Sequence, residues 1–302
     1  GSLLENFYIF IIITMSTTPV VFCIPDTGKT GTAQYVVSCP ETKKAVVIDP
    51  VWDFNLSNGK TSTTNVDQII KYVTDNGLDV EWILETHVHA DHITSAQLLK
   101  ASLGAEYGIG EGILKVQETF KPFFNLEHMP ADGSQWDRLF KTGDVLEVGT
   151  LKFKVLSTPG HTADSCSFLV EGFGVWVGDT LFAPDKGTAR CDFPNGSAAT
   201  LYSSINQLLA LPDETKIFLC HDYPKDREFI FETTVAEEKA KNIHMAGGPS
   251  EADFIKLRET RDETLNVPHL LLPSVQLNAD GGRLPPPESN KQVYIKIPIN
   301  KL

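Results

Sequence analysis

Apolar residues recur along this chain in short runs, alternating or continuous, broken every few positions by Gly, Pro, Asn and Asp. Runs of that length between turn formers predict strands. They fall over residues 20–24, 33–38, 44–49, 78–84, near 107, and over 165–170, 174–177 and 216–220. A hairpin is expected over 144–148 and 151–157, turning at Gly149-Thr150. Apolar positions spaced by three and four predict helices over 66–73, 93–103, 111–120, 198–210 and 228–242. A further helix is expected over 250–265, after the Gly247-Gly248-Pro249 break. Residues 121–142, with Pro122, Pro130 and Gly133, read as irregular. From Val267 the chain is rich in Pro and Gly, including Pro285-Pro286-Pro287, and ends in a strand-like stretch over 292–299.

The strand over 78–84 closes a βαβ rhythm and runs into Thr86-His87-Val88-His89-Ala90-Asp91-His92. On extended backbone side chains alternate, so His87 and His89 point the same way, with Asp91 and His92 where the chain turns. Nitrogen and oxygen donors so close together suit a borderline divalent cation such as zinc, iron or manganese. Three later strand ends repeat the offer, in Thr158-Pro159-Gly160-His161, Gly178-Asp179-Thr180 and His221-Asp222-Tyr223. Four strand ends thus hand ligand-type side chains to one rim, where α/β folds keep their chemistry. Asp49, before Pro50, is open to two readings: a turn former, or a hydrogen-bond partner to a metal ligand. Gly28-Lys29-Thr30 has a superficial likeness to a phosphate loop but lacks its upstream glycine, so a hairpin turn is expected.

Composition narrows the partners. With 39 acidic against 26 basic residues the formal charge is −13, which argues against nucleic acid or an anionic membrane. Five scattered cysteines (Cys23, Cys39, Cys166, Cys191, Cys220) without a CxxC pair fit reduced thiols in a cytoplasmic or mitochondrial space rather than a secreted disulfide framework. Residues 7–13 are strongly apolar but too short to span a bilayer, and the basic residues of a targeting signal are missing around them. Residues 1–15 are therefore set aside, 16–245 are taken as the catalytic domain, and 246–302 as an extension packed on the core or on a neighbouring subunit.

His87-x-His89-x-Asp91-His92, His161, Asp179 and His221, in this order, resemble the metallo-β-lactamase superfamily over roughly residues 20–245. The resemblance implies an α/β (α+β) fold, the αββα sandwich of two mixed β-sheets flanked by helices. The words Glu85-Thr86-His87-Val88-His89-Ala90-Asp91-His92, Gly187-Thr188-Ala189-Arg190-Cys191-Asp192-Phe193 and His221-Asp222-Tyr223 are similar to the persulfide dioxygenase branch, a sister of glyoxalase II. The Pro-rich tail is similar to its bacterial β-lactamase-like hydrolase subgroup. By that likeness His87, His161 and Asp179 would hold one Fe(2+) per chain, and His89, Asp91, His92 and His221 would line the second metal position as hydrogen-bonding or proton-handling groups. Arg190 would meet a substrate carboxylate and Tyr223 the substrate thiol region. The implied reaction takes glutathione persulfide, or a related small persulfide, and O2 to sulfite, in a homodimer. The alternative implied by the same ligand set is a hydrolase with two Zn2+, acting on a thioester or lactone. A non-catalytic binding protein of the same fold is the third class.

Overall fold

The computed structural model describes residues 18–27 and 29–301, so the expectations for residues 1–15 and for Gly28 lie outside the described residues. Strands are numbered along the chain. The first sheet runs in the order β1 (Val20–Pro25), β2 (Ala33–Ser38), β3 (Lys44–Ile48), β6 (Asp79–Leu84), β8 (Glu106–Gly110), β9 (Arg138–Phe140). It is antiparallel through β3 and parallel from there on. The second sheet runs β10 (Val145–Val148), β11 (Leu151–Ser157), β12 (Cys166–Val170), β13 (Gly174–Trp176), β14 (Lys216–Phe218), β15 (Glu232–Thr234), with only β13 and β14 parallel. A small third sheet joins β5 (Lys60–Ser62), β4 (Val51–Asn55) and β7 (Ile93–Thr94).

The continuous apolar strands are buried on both faces, and their alternation sorts the side chains between two cores. Tyr35, Val37, Val46 and Ile48 face the second sheet, whereas Val36, Ala45 and Val47 face the helices outside. Between the sheets Trp176 stacks on Phe218 at 4.5 Å, with the Tyr35 ring edge-on to both. Helices α1 (Thr64–Asp75), α2 (Ala96–Leu103) and α3 (Ile113–Phe124) cover the first sheet. Helices α4 (Ala198–Leu209), α5 (Val235–Lys241) and α6 (Glu251–Asp262) cover the second. This is the αββα sandwich, and no helix among the described residues is long and apolar enough to cross a membrane.

Four stretches differ from the pattern-based expectation. The stretch 228–242 is not one helix: Glu232–Thr234 pairs with β14, and α5 begins only after Thr234, whose extended backbone and hydroxyl cap Glu237 N at 3.2 Å. Ile93–Thr94 pairs with Val51 and Trp52 before α2 begins, so the 51–62 strands and β7 form the small sheet that periodicity missed. Within 121–142, α3 extends to Phe124 with Pro122 inside it, and Arg138–Phe140 adds the edge strand β9. In the tail, 292–299 forms no strand; instead the Gln276 side chain exchanges two hydrogen bonds with Lys296, both 2.9 Å. Gln276 lies on a seventh helix, α7 (Leu271–Asn278), which the Pro-rich composition hid; Pro273 falls in its first turn, where no amide donor is needed. Leu271 and Val275 bury this helix in the outer core of the first sheet.

Candidate metal centre

Four strand ends converge. β6 runs into Thr86–His92, β11 into His161, β13 into a tight turn bearing Asp179, and β14 into His221. Gly178 in that turn has φ +54°, and a Cβ there would lie 2.7 Å from Thr86 Oγ1, so only glycine brings Asp179 this close to the histidine loop. The loop itself is held by buried polar side chains. Asn278 donates to the His89 and His92 carbonyls (2.9 and 2.8 Å) and accepts from Thr94 N, while Asp164 accepts from Val88 N at 2.7 Å. Asp49 accepts from Thr86 N and Thr86 Oγ1 (2.7 and 2.8 Å) and lies 3.1 Å from His89 Nε2. Both readings hold: Asp49 turns the chain after β3 with φ +51°, and its carboxylate faces the His89 ring.

All seven ligand-type residues come together. The donor atoms of His87, His161 and Asp179 lie within 4.8 Å of one another, with Asp179 Oδ2 3.9 Å from His87 Nε2 and 3.6 Å from His161 Nε2. Its other oxygen, Oδ1, lies 3.3 Å from His221 Nε2, which is 3.5 Å from Asp91 Oδ2. His89, Asp91 and His92 form a second close trio. His87 Nε2, His89 Nδ1, His92 Nε2, His221 Nε2 and Asp179 Oδ1 are all buried without a hydrogen-bond partner among the described residues. Leaving that many polar atoms unmet is expensive, and divalent metal binding at these clusters would satisfy them. The residues fit a metal.

The electrostatics agree. Burial first, and then the imidazoles of His89 and His161, push His87 well below the ordinary histidine range, which keeps it neutral as a ligand must be. Burial works against an ionised Asp91, yet His221 and His92 hold its carboxyl well below the usual carboxylate range.

The imidazoles differ in what holds their outer nitrogens. The Thr86 hydroxyl donates to Asp49, so it accepts from His87 Nδ1 (3.0 Å) and leaves the Nε2 lone pair facing inward. His161 Nδ1 donates to the Arg190 carbonyl at 2.7 Å, to the same effect. His92 Nδ1 has Thr32 Oγ1 and Asp91 Oδ2 at 3.3 Å each, and His221 Nδ1 has no hydrogen-bond partner among the described residues.

A cavity of about 620 Å3 opens onto His161 and Asp179, with Lys186, Arg190, Lys225 and Arg261 in its wall. Arg190 lines it with its fork already engaged: Nε and Nη2 each donate to Asp192 at 2.6 Å, and Nη1 donates to Asn266 O. Tyr223 is half-exposed, its ring stacked 8° from parallel on His221. Glu85, whose Oε2 lies 3.4 Å from His89 Nε2, was given no role in the sequence reading, and Asn278, Asp164 and the cavity's lysines escaped it. Only Glu85, inside the histidine word, carried a local signal.

The model of the metallo-beta-lactamase superfamily matches residues 27–221. Glyoxylase B2 of Dictyostelium discoideum is 48% identical over 91% of this chain and 95% of its own length. A beta-lactamase hydrolase-like protein of Xylella fastidiosa is 49% identical over 91% of this chain, which spans only 63% of that protein. The mitochondrial persulfide dioxygenase ETHE1 of Bos taurus is 28% identical over 80% of this chain and 79% of its own. The crystal structure of ETHE1 from Myxococcus xanthus superposes with a TM-score of 0.70 at 32% identity, covering 87% of this chain and all of that one. With the sandwich, the convergent strand ends and these likenesses in hand, the chain belongs to the metallo-β-lactamase superfamily.

Proposed function

We propose that this protein is a mononuclear non-haem iron persulfide dioxygenase, converting glutathione persulfide or a related small persulfide, with O2 and water, to sulfite and the free thiol. The observation that carries the reading is the contrast between His87 and His161, whose outer nitrogens are engaged at 3.0 and 2.7 Å, and His92 and His221, whose outer nitrogens have 3.3 Å contacts or no partner among the described residues. His87 and His161 have their tautomers fixed by Thr86 Oγ1 and the Arg190 carbonyl, and with Asp179 they make a two-histidine, one-carboxylate set. Such a set leaves part of an iron coordination sphere open for two small ligands, which is the chemistry ferrous iron supplies when bound. Around it, Asp91, His92 and His221 would hold or pass protons, and His89 Nε2 lies 3.1 Å from Asp49. The lysines and arginines of the 620 Å3 cavity suit a carrier bearing carboxylates. Arg190 reaches such a carboxylate by exchanging it for Asp192. The likenesses to the two ETHE1 proteins support the same reading. The five unpaired cysteines fit a reducing compartment, cytoplasmic or mitochondrial, and we propose a homodimer there.

A second reading has its own support. Asp179 turns Oδ2 to the His87–His161 side and Oδ1 to His221, which is how a carboxylate bridges two cations, and the first relative named above is called a glyoxylase. In that case two zinc ions would activate water against a thioester or lactone. The two readings separate in one preparation. Protein purified without oxygen is expected to hold about one iron per chain and to consume O2 when given glutathione persulfide. Close to two zinc ions per chain, with fast thioester cleavage and no O2 uptake, would reverse the order.

A further inference from the structure

Native cores are packed to the density of organic crystals, so a void kept among large apolar side chains beside a reactive centre calls for an explanation. This molecule keeps a partly open one, of about 180 Å3, between the histidine loop and the helices that cover it, with the exposed Asp192, Pro194 and Val267 among its lining. Its wall is formed by Val88 and Ala90 of the loop, Val116 and Phe120 of α3, Val275 of α7, and Phe193. Ala90 and Phe193 also line the 620 Å3 cavity that opens onto His161 and Asp179, so the two spaces share a partition. The Phe193 ring stands in that partition. It lies 5.4 Å from the His161 ring on one side and carries the Arg190 guanidinium 4.8 Å over its face on the other. The Arg190–Asp192 ion pair stands at the polar edge of the void.

We infer that this apolar cavity takes up dioxygen and delivers it to the metal centre past Phe193, by a route separate from the basic cavity used by the persulfide carrier. The inference rests on the dioxygenase reading. Three features select the occupant. Most of the wall is apolar, with Thr162 and the mutually paired Arg190 and Asp192 as its hydrogen-bonding groups, so a charged molecule would lose its hydration there with little compensation. The volume is too small for a peptide-sized thiol carrier but ample for a diatomic gas. Apolar cavities of this size in other proteins take up benzene or xenon, so an uncharged apolar guest is favoured. Delivering the two substrates from different sides also spares dioxygen from competing with a carrier that fills the basic cavity.

The test needs no variant at first. Crystals of the wild-type enzyme pressurised with xenon are expected to show xenon between Val116, Val275 and Phe193. Val116→Phe fills the void from α3, and Val275→Phe fills it from α7, so a folding failure in one leaves the other. If the route is closed for nine-tenths of the time, kcat/KM for dioxygen falls roughly tenfold, while iron content and the KM for glutathione persulfide stay at the wild-type level. Absence of xenon from the cavity, or an unchanged dioxygen dependence in a folded, iron-loaded variant, overturns the inference and leaves the dioxygenase reading standing. Wild-type enzyme that takes up no dioxygen with glutathione persulfide overturns that reading, and the dioxygen route falls with it.

Discussion

His87 and His161 reach the cluster with their outer nitrogens engaged by a hydroxyl and a carbonyl, whereas His92 has two contacts at 3.3 Å and His221 has no such partner among the described residues. Both halves use the same side chains at similar burial, and both face Asp179. The difference lies one shell further out. An imidazole that donates its distal N–H to a fixed acceptor presents a single lone pair in a single direction, and ordering it costs little when the cation arrives. An imidazole without that partner can rotate, switch tautomer or carry a proton. The first arrangement suits a permanent ligand, and the second suits a group that exchanges hydrogen bonds with substrate.

The largest effect expected is at the residue both halves share. Asp179→Ala removes a carboxylate oxygen from each, and metal affinity should fall by at least about 100-fold, read as metal per chain after gel filtration in a chelator. Under the proposed reading His221→Ala keeps about one metal per chain and loses turnover instead. Halving of the metal content in His221→Ala, from two to one, would instead mark a dinuclear centre and erase the distinction between the halves.

Substitutions one shell out sharpen the same contrast with smaller effects. Thr86→Val takes the acceptor from His87 Nδ1 while keeping the shape, and should weaken metal binding about 10- to 100-fold. Thr32→Val removes the corresponding, longer contact of His92 and should weaken it by no more than about threefold, below the range for a fixed hydrogen-bond partner of a ligand. Equal losses in the two variants, measured by competition with a fluorescent chelator, would show that the 3.3 Å contact matters as much as the 3.0 Å one.

What the sequence made legible follows from the range over which each signal acts. The strands over 33–38 and 44–49 and the hairpin at Gly149 were readable because periodicity and turn chemistry are local. The convergence of residues 87 to 92 with 161, 179 and 221 was readable because each follows a strand, and strand ends of an α/β sheet gather at one edge. The supports were not readable in that way. Asn278 lies 186 positions from His92, in a helix whose sequence contains Pro273, and nothing nearby in the chain marks it as the amide that ties two loop carbonyls. Arg190 shows how a residue type can leave two partners open. Its type suited a carboxylate, but Asp192, two residues on, already occupies the fork.

The smallest effect concerns the outer scaffold of the better-ordered half. The Arg190 carbonyl that orients His161 belongs to a loop pinned from the second sheet's helices. Asn242 donates to the Gly187 carbonyl (3.0 Å) and to Glu238 (2.6 Å), and His244 Nδ1 accepts from Thr188 N at 3.0 Å. Burial pushes the Glu238 carboxyl up to about 8. An unfolded chain ionises the same group near its ordinary value, so between the two the folded protein binds the extra proton and stability falls as pH rises. The stabilising proton is fully in place below the unfolded value and is gone once pH passes the folded one. From pH 6.5 to 8 the loss is about 2 kcal/mol, and Glu238→Gln, which still offers Asn242 an acceptor, should lack it. Urea midpoints of wild type and variant are therefore expected to diverge across that interval, the variant holding nearly level while wild type declines. Iron retention in wild type should decline over the same interval if this scaffold orients His161, and hold steady if the His161–Arg190 hydrogen bond stands without it.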